Sequence, residues 1–198
     1  MATHAGPWGA LGIADPIPFR KEEIMMKKTA LLLGLLALTL TAAGWAGDTP
    51  TGKVDGKAAF ERLKTLAGDW SGKGDGGMVT PVSYKVSANG SVVMETLFSG
   101  TPHEMITMYH LAGNDLVATH YCAGANQPHF KLDTEKSTPN ELVMAFDGGT
   151  NIDMDKGSFM HGGKIAFAPD GGIVSEWDVY AAGKPAGAHT FHLSRVGK

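Results

Sequence analysis

The feature that most constrains the fold is a series of ten short segments after residue 68 in which apolar and polar residues alternate. The connectors between them carry Gly, Asn, Asp or Pro, the residues that form tight turns. Connections this short permit only antiparallel neighbours, because a parallel crossover needs a dozen or more residues. Closing such a meander into a barrel removes its two exposed edges. The sequence therefore predicts an all-β, antiparallel up-and-down barrel of about ten strands, over 69–74, 80–88, 91–99, 104–111, 115–122, 128–134, 141–147, 158–168, 173–181 and 187–196.

One short helix is expected before the barrel. Asp55 can cap its first turn, apolar residues then recur at helical spacing, and Gly68 is expected to end it. A helix this short needs a larger partner for its apolar face. We therefore place it across one end of the barrel.

Alternation within single strands predicts which side chains face the interior. In the segment 80–88, Val82, Tyr84 and Val86 share one face, whereas Glu176 and Asp178 mark the solvent face of 173–181. The interior is predicted to be mainly apolar with a few polar side chains, which suits a small hydrophobic or amphipathic molecule. The methionines fit a permissive lumen, because their side chains fill irregular apolar space. The expected ligand-binding residues are Tyr84, Met94, Met105, Tyr109, His120, Met144 and Trp177.

The hairpin over 104–122 carries two His–Tyr pairs. With a four-residue turn, Tyr109 and His120 share one face and His110 and Tyr121 share the other. A register slip of one residue exchanges the two faces. One pair should therefore face inward, and the sequence leaves open which pair that is.

Motifs for catalysis and metal binding do not emerge from the sequence. The segment after residue 46 contains no His-x-His, Cys-x-x-Cys or His-Glu-x-x-His spacing, and no Gly-x-Ser-x-Gly. Cys122 is expected in mid-strand, away from any helix N-terminus that would activate a thiol. Glu95 and Glu104 are interpreted as ordinary rim or solvent-facing charges. We therefore expect no catalytic residue, no metal and no cofactor.

The N-terminal region has the pattern of an export signal. Lys27 and Lys28 precede an apolar run that is too short to cross a bilayer, and Gly44-Trp45-Ala46 provides a small-x-small cleavage site. We expect a signal peptide over 25–46, a disordered or mis-assigned extension over 1–24, and one barrel domain over 47–198. The mature protein is then periplasmic or secreted, without stable membrane insertion. A net charge of −3 argues against nucleic-acid binding, and the oligomeric state is left open.

Gly68-x-Trp70 after a short helix, together with Arg195 on the last strand, resembles the calycin superfamily of lipocalins and fatty-acid-binding proteins. The resemblance implies that Trp70 packs under Arg195 and closes the barrel floor. The guanidinium would stack on the indole and donate to nearby carbonyls. The segments 104–110, 119–122 and 126–128 also resemble exported, uncharacterised lipocalin-like proteins of bacteria, from which no activity can be carried over.

A second resemblance suggests the main alternative function. The stretch Gly68-Asp-Trp-Ser-Gly-Lys-Gly74 is similar to the opening of nitrobindins, which are haem-binding barrels that act on nitric oxide or peroxynitrite. That resemblance implies a haem ligand at His192, which is followed by Leu193 on the last strand. The chain departs from the pattern at 78–81, which reads Met-Val-Thr-Pro. A third possibility is a structural or interaction barrel with a filled core.

Overall fold

The computed structural model describes residues 52–197. The expected extension over 1–24 and the expected signal peptide over 25–46 lie outside the described residues. One helix, α1 (Gly56–Lys64), precedes the strands, and single 3-10 turns lie at Asp75–Gly77 and Ala88–Gly90. The strands are β1 (Gly68–Gly74), β2 (Val79–Ser87), β3 (Val92–Leu97), β4 (Met105–Ala112), β5 (Asp115–Tyr121), β6 (Gln127–Leu132), β7 (Glu141–Thr150), β8 (Ser158–Phe167), β9 (Ile173–Ala181) and β10 (Lys184–Arg195).

The ten strands form a closed barrel in which each strand pairs antiparallel with the next, and β10 pairs with β1. This confirms the predicted all-β, up-and-down architecture with one short helix before it. In the hairpin of β4 and β5, Leu111 lies opposite Leu116, as the four-residue turn requires. Tyr109 and His120 are therefore the pair that faces inward, and both are completely buried.

Helix α1 lies across the end of the barrel where the turn between β4 and β5 is found. Asp55 accepts a hydrogen bond from the amide of Ala58 at 2.7 Å, which confirms its capping role. Gly56 is required there, because a Cβ on it would lie 2.2 Å from the carbonyl oxygen of Asn114. The apolar face of α1, with Phe60 and Leu63, is buried in the barrel core.

The expectation that Gly68 ends the helix is wrong. The helix ends at Lys64, and Thr65 caps it by donating from its hydroxyl to the carbonyl of Arg62 at 2.7 Å. Gly68 is instead the first residue of β1, with φ at +126°. That backbone conformation favours glycine and turns the chain from the helix into the sheet.

Arg195 and Trp70 close the barrel beneath the helix. They are direct partners in the register of β1 and β10, and the guanidinium carbon lies 4.4 Å from the centre of the indole. Arg195 also donates to the carbonyls of Ala67 at 2.6 Å and Thr65 at 2.8 Å, while the indole of Trp70 donates to Leu66 at 2.8 Å. These contacts are the arrangement that the calycin resemblance implies, and they join the first strand, the last strand and the end of α1.

No helix within residues 52–197 is long and apolar enough to span a membrane.

The helix-capped end of the barrel is filled by side chains, and the opposite end contains a cavity. The filled region draws apolar side chains from α1 and from every strand. The cavity is formed where the hairpins between β1 and β2, β3 and β4, and β5 and β6 meet.

Candidate ligand-binding site

The cavity at the end opposite α1 has a volume of about 280 Å³ and an almost entirely apolar wall. Its rim reaches solvent, since Met78 is exposed. Six of the ten strands contribute to it, together with three residues just beyond strand ends, because their inward side chains meet at this level. The residues that line it are Gly74, Met78, Leu97, Phe98, Met105, Cys122, Ser158, Phe159, Met160, Trp177, Val179, His189 and Phe191.

Trp177 forms the rigid part of the wall. Its indole N–H donates to the Ser175 hydroxyl at 2.9 Å, and its ring centre lies 5.3 Å from that of Phe130. The indole also approaches β8 closely, because a Cβ on Gly163 would come within 2.5 Å of a ring carbon. Glycine at 163 therefore leaves the room that the indole occupies, and these contacts on several sides restrict Trp177.

An aromatic stack supports the same wall from the side. β7 and β8 pair over Glu141–Ala145, and next to that stretch four rings pack together. His161 stacks on Phe146 at 4.6 Å and on Tyr180 at 4.9 Å between ring centres. Phe159 contacts the same rings and also lines the cavity.

Met105, Met160 and Cys122 form the deformable part of the wall. The sulfur atoms of Cys122 and Met105 are 3.9 Å apart, and the amide of Gly124 donates to the Cys122 sulfur at 3.4 Å. Cys122 is half-buried and forms no disulfide. Because methionine adapts its shape at low energetic cost, this side of the cavity can change shape around a ligand.

A row of polar side chains crosses four neighbouring strands inside the barrel. Tyr84, Glu95, Thr107 and His120 are successive cross-strand partners from β2 to β5. We call these four residues the polar row. All four are buried, and Glu95, Thr107 and His120 have no exposed surface. Burial of four polar side chains is tolerated only where they bond to one another.

Glu95 lies at the centre of these bonds. Tyr84 donates to Oε1 at 2.6 Å, and Tyr109 donates to Oε2 at 2.7 Å. Thr107 is a third hydrogen-bonding neighbour. Burial raises the pKa of Glu95 above its ordinary value, and the three hydroxyl groups oppose that rise. Burial and the nearby carboxyl raise the pKa values of Tyr84 and Tyr109 well above the ordinary value, so both phenols keep their protons.

His120 ends the row and has one unpartnered nitrogen. Its Nδ1 lies 2.9 Å from the Thr107 hydroxyl, whereas Nε2 is buried without a hydrogen-bond partner. Burial lowers the pKa of His120 to about 4, so the imidazole is neutral near pH 7. A buried nitrogen without a partner is unfavourable by about 1–3 kcal/mol, and native structures contain few of them.

The polar row lies directly beneath the cavity. His120 faces inward on β5, and the cavity residue Cys122 directly follows that strand, two residues further along. On β4, Thr107 and the cavity residue Met105 are likewise two residues apart. The cavity floor is therefore one pleat above the row, and Met105 and Cys122 separate the two.

The residues that were expected to bind a ligand lie in different parts of the barrel interior. Met105 and Trp177 line the cavity. Tyr84, Tyr109 and His120 belong to the buried polar network below it. Met144 lies in the filled core.

The expectation that Met94 faces the lumen is wrong. It alternates with Val93 and Glu95, which are completely buried, and lies half-buried on the outer face of β3. Met94 pairs there with Lys85 and Met108, which belong to the outer faces of their strands.

The interpretation of Glu95 as a rim charge is also wrong. Its carboxyl group is completely buried, whereas Glu104 is exposed and accepts from the amide of Gly100 at 2.8 Å. A signal for this burial was present in the sequence. Tyr84 on β2 and Tyr109 on β4 face inward on either side of β3, and their hydroxyl groups need a buried acceptor between them. Leu97, Phe98, Phe159 and Phe191 were missed as well, because alternation shows their faces but not where space remains.

His192 does not face the barrel interior. It is exposed and alternates on β10 with Phe191 and Leu193, which are buried. The nitrobindin-like alternative assigns the haem ligand to His192, and the register places this imidazole outside the barrel. Within residues 52–197, no group of three His, Cys, Asp or Glu side chains is arranged to hold a metal ion.

No protein-family model matches the chain, and no curated protein matches it significantly. The geometry of the barrel interior is therefore the basis for assigning a function. Two features of the interior support such an assignment: the apolar cavity and the polar row beneath the cavity.

Proposed function

We propose that the protein binds a small hydrophobic or amphipathic molecule in the cavity opposite α1 and does not transform it. The observation that carries the proposal is an apolar cavity of about 280 Å³ with one rigid and one deformable wall. An engineered apolar cavity of about 150 Å³ already takes up benzene. A molecule of one or two rings, or a short branched chain, matches the larger volume.

The filled end of the barrel limits the size of the ligand. Tyr109, Phe130, Leu142 and Met144 are buried below the cavity and leave no continuous lumen from one end to the other. The cavity volume lies near the low end of the range for small-molecule sites, about 300–1,000 Å³. A compact ligand is therefore favoured over a long acyl chain or a tetrapyrrole.

We also propose that the domain is a lipocalin-like barrel that works outside the cytoplasm. The closed antiparallel barrel and the contact of Arg195 with Trp70 support the first part. The signal-like sequence over 25–46 supports the second. N-terminal sequencing of protein recovered from a periplasmic extract should begin near residue 47, and a start upstream of residue 25 would contradict export by this signal.

The binding proposal is tested by native mass spectrometry together with uptake of an apolar fluorescent dye. Val179→Phe fills the cavity, because Val179 lines it on β9. Val174→Phe is the matched control, since Val174 lies on the outer face of the same strand opposite His192. We expect dye uptake by the parent and the control, with at least a tenfold loss in Val179→Phe. Equal uptake by all three proteins, or no uptake and no bound molecule, would reject the proposal.

A further inference from the structure

We propose that His120 Nε2 is the acceptor for the polar head of the ligand, so that the site selects compact apolar molecules that end in a hydroxyl group. This inference rests on the binding function proposed above and specifies its ligand class. It uses the one buried nitrogen of the polar row that has no partner.

The donors of the row favour Nε2 as an acceptor, and the proposal assigns its hydrogen atoms accordingly. Tyr84, Tyr109 and Thr107 are three hydroxyl donors around Glu95, the pattern that surrounds an ionised carboxylate. Thr107 has one hydroxyl hydrogen, and we assign it to the network at Glu95, of which Thr107 is a hydrogen-bonding neighbour. Its oxygen then receives the hydrogen of His120 Nδ1 across 2.9 Å. A neutral imidazole has one N–H, so Nε2 keeps a lone pair.

A lone pair in this position discriminates between ligand heads. An alcohol or phenol donates to Nε2 and satisfies the buried nitrogen. An ether or a ketone has no hydrogen to donate and leaves it unsatisfied. A carboxylate anion also lacks a hydrogen and would approach a region that already contains the buried Glu95. A site built for one hydroxyl rejects an analogue that lacks it more strongly than a site built for bulk alone.

The route to Nε2 passes through the deformable part of the wall. Met105 and Cys122 lie one pleat nearer the open end than Thr107 and His120. The thioether of Met105 can change rotamer and let a hydroxyl reach the imidazole. The ring system of the ligand then stays in the apolar cavity beside Trp177.

The test uses three probes of similar shape: 2-naphthol, 2-methoxynaphthalene and naphthalene. Their affinities are measured by titration calorimetry for the parent, His120→Asn, His120→Gln and His110→Asn. Asn at 120 can keep the bond to Thr107 but has no atom at the Nε2 position, whereas the Gln oxygen reaches toward it. His110 is exposed on the outer face of β4, so His110→Asn is the matched control.

We expect the parent and His110→Asn to prefer 2-naphthol over 2-methoxynaphthalene by about tenfold. The preference should disappear in His120→Asn and return in part in His120→Gln. Naphthalene should bind equally to all four proteins. If naphthalene binds but the preference is absent from the parent or persists in His120→Asn, this inference is wrong and the binding function stands. If none of the probes binds the parent, both are rejected.

Nitrogen NMR of the parent protein provides a second test that needs no folded variant. The imidazole of His120 should give the signal pattern of the tautomer with its hydrogen on Nδ1. Addition of 2-naphthol should shift the Nε2 resonance in the direction that marks an accepted hydrogen bond, and naphthalene should leave it in place. A hydrogen found on Nε2 before any ligand is added would overturn the proposal.

Discussion

The two ends of this barrel are built from the same ten strands but differ in packing. At the helix-capped end, Trp70, Phe60 and Leu63 are buried together, and Arg195 ties the strand ends to the helix. At the open end, equally apolar side chains surround space. A closed barrel leaves its interior unfilled where inward side chains are too few or too small. We therefore expect stability to be concentrated at one end, whereas the proposed binding site lies at the other, with the polar row between them.

The largest expected effect is the loss of Trp70 at the helix-capped end. Trp70→Ala removes a buried indole that contacts Arg195 and donates to Leu66, so the free energy of unfolding should fall by about 3–5 kcal/mol. Urea unfolding followed by circular dichroism measures the change. A loss below about 1 kcal/mol would show that this end does not hold the barrel together.

The second prediction concerns pH and the row between the two ends. His120 has its pKa lowered by burial from 6.5 to about 4. Between these values the unfolded chain binds a proton that the folded chain does not, so protonation favours unfolding as the pH falls. This group alone should reduce the free energy of unfolding by up to about 3 kcal/mol from pH 6.5 to pH 4.

Glu95 acts in the opposite direction, because its raised pKa lets the folded protein take up a proton before the unfolded chain does. The comparison of the parent with His120→Asn therefore isolates the histidine. Chemical denaturation at closely spaced pH values should give a shallower slope for His120→Asn below pH 6.5. Parallel slopes for the two proteins would contradict a neutral buried imidazole.

The third prediction tests whether Trp177 contributes both to the stability of the filled region and to the shape of the cavity. Gly163→Ala places a methyl group 2.5 Å from the indole and from the carbonyl oxygen of Glu176, so either the ring or β8 has to move. We expect a loss of about 1–3 kcal/mol in the free energy of unfolding and weaker dye binding. Thermal unfolding and a dye titration measure the two effects, and unchanged dye affinity would mean that Trp177 does not shape the cavity.

The smallest effect is expected at the open end. Met160 is half-buried and borders the cavity, so Met160→Ala removes few packed contacts. The free energy of unfolding should change by less than about 1 kcal/mol, while the enlarged cavity should admit bulkier dyes. A loss comparable with that of Trp70→Ala would erase the difference between the two ends.

The sequence predicts the barrel because its information is local. Turn residues and period-two alternation determine ten antiparallel neighbours, and the turn after Leu111 sets which residues of β4 and β5 share a face. Which of the two faces is inward is seen only in the structure. The end of α1 was misplaced, because Thr65 caps the helix before Gly68 is reached. Met94 was misplaced because the face of β3 depends on its pairing with β2 and β4, which alternation in one strand does not reveal.

The site was less accessible to sequence reasoning than the fold. Tyr84, Tyr109 and His120 were expected inside, but Glu95 was assigned to the surface because charged residues are rarely buried. Its burial follows from a chain of cross-strand partners through four strands. The position of the cavity depends on the side-chain volumes of all strands at one level, a property that no single segment contains.

Cys122 offers a way to follow the proposed binding without altering the protein. It is the single cysteine of the sequence, it is half-buried, and it borders the cavity. A ligand bound as proposed would lie beside Met105 and cover the thiol, whose sulfur is 3.9 Å from that of Met105. Slower labelling of Cys122 by a small alkylating reagent would then report binding in the unaltered protein.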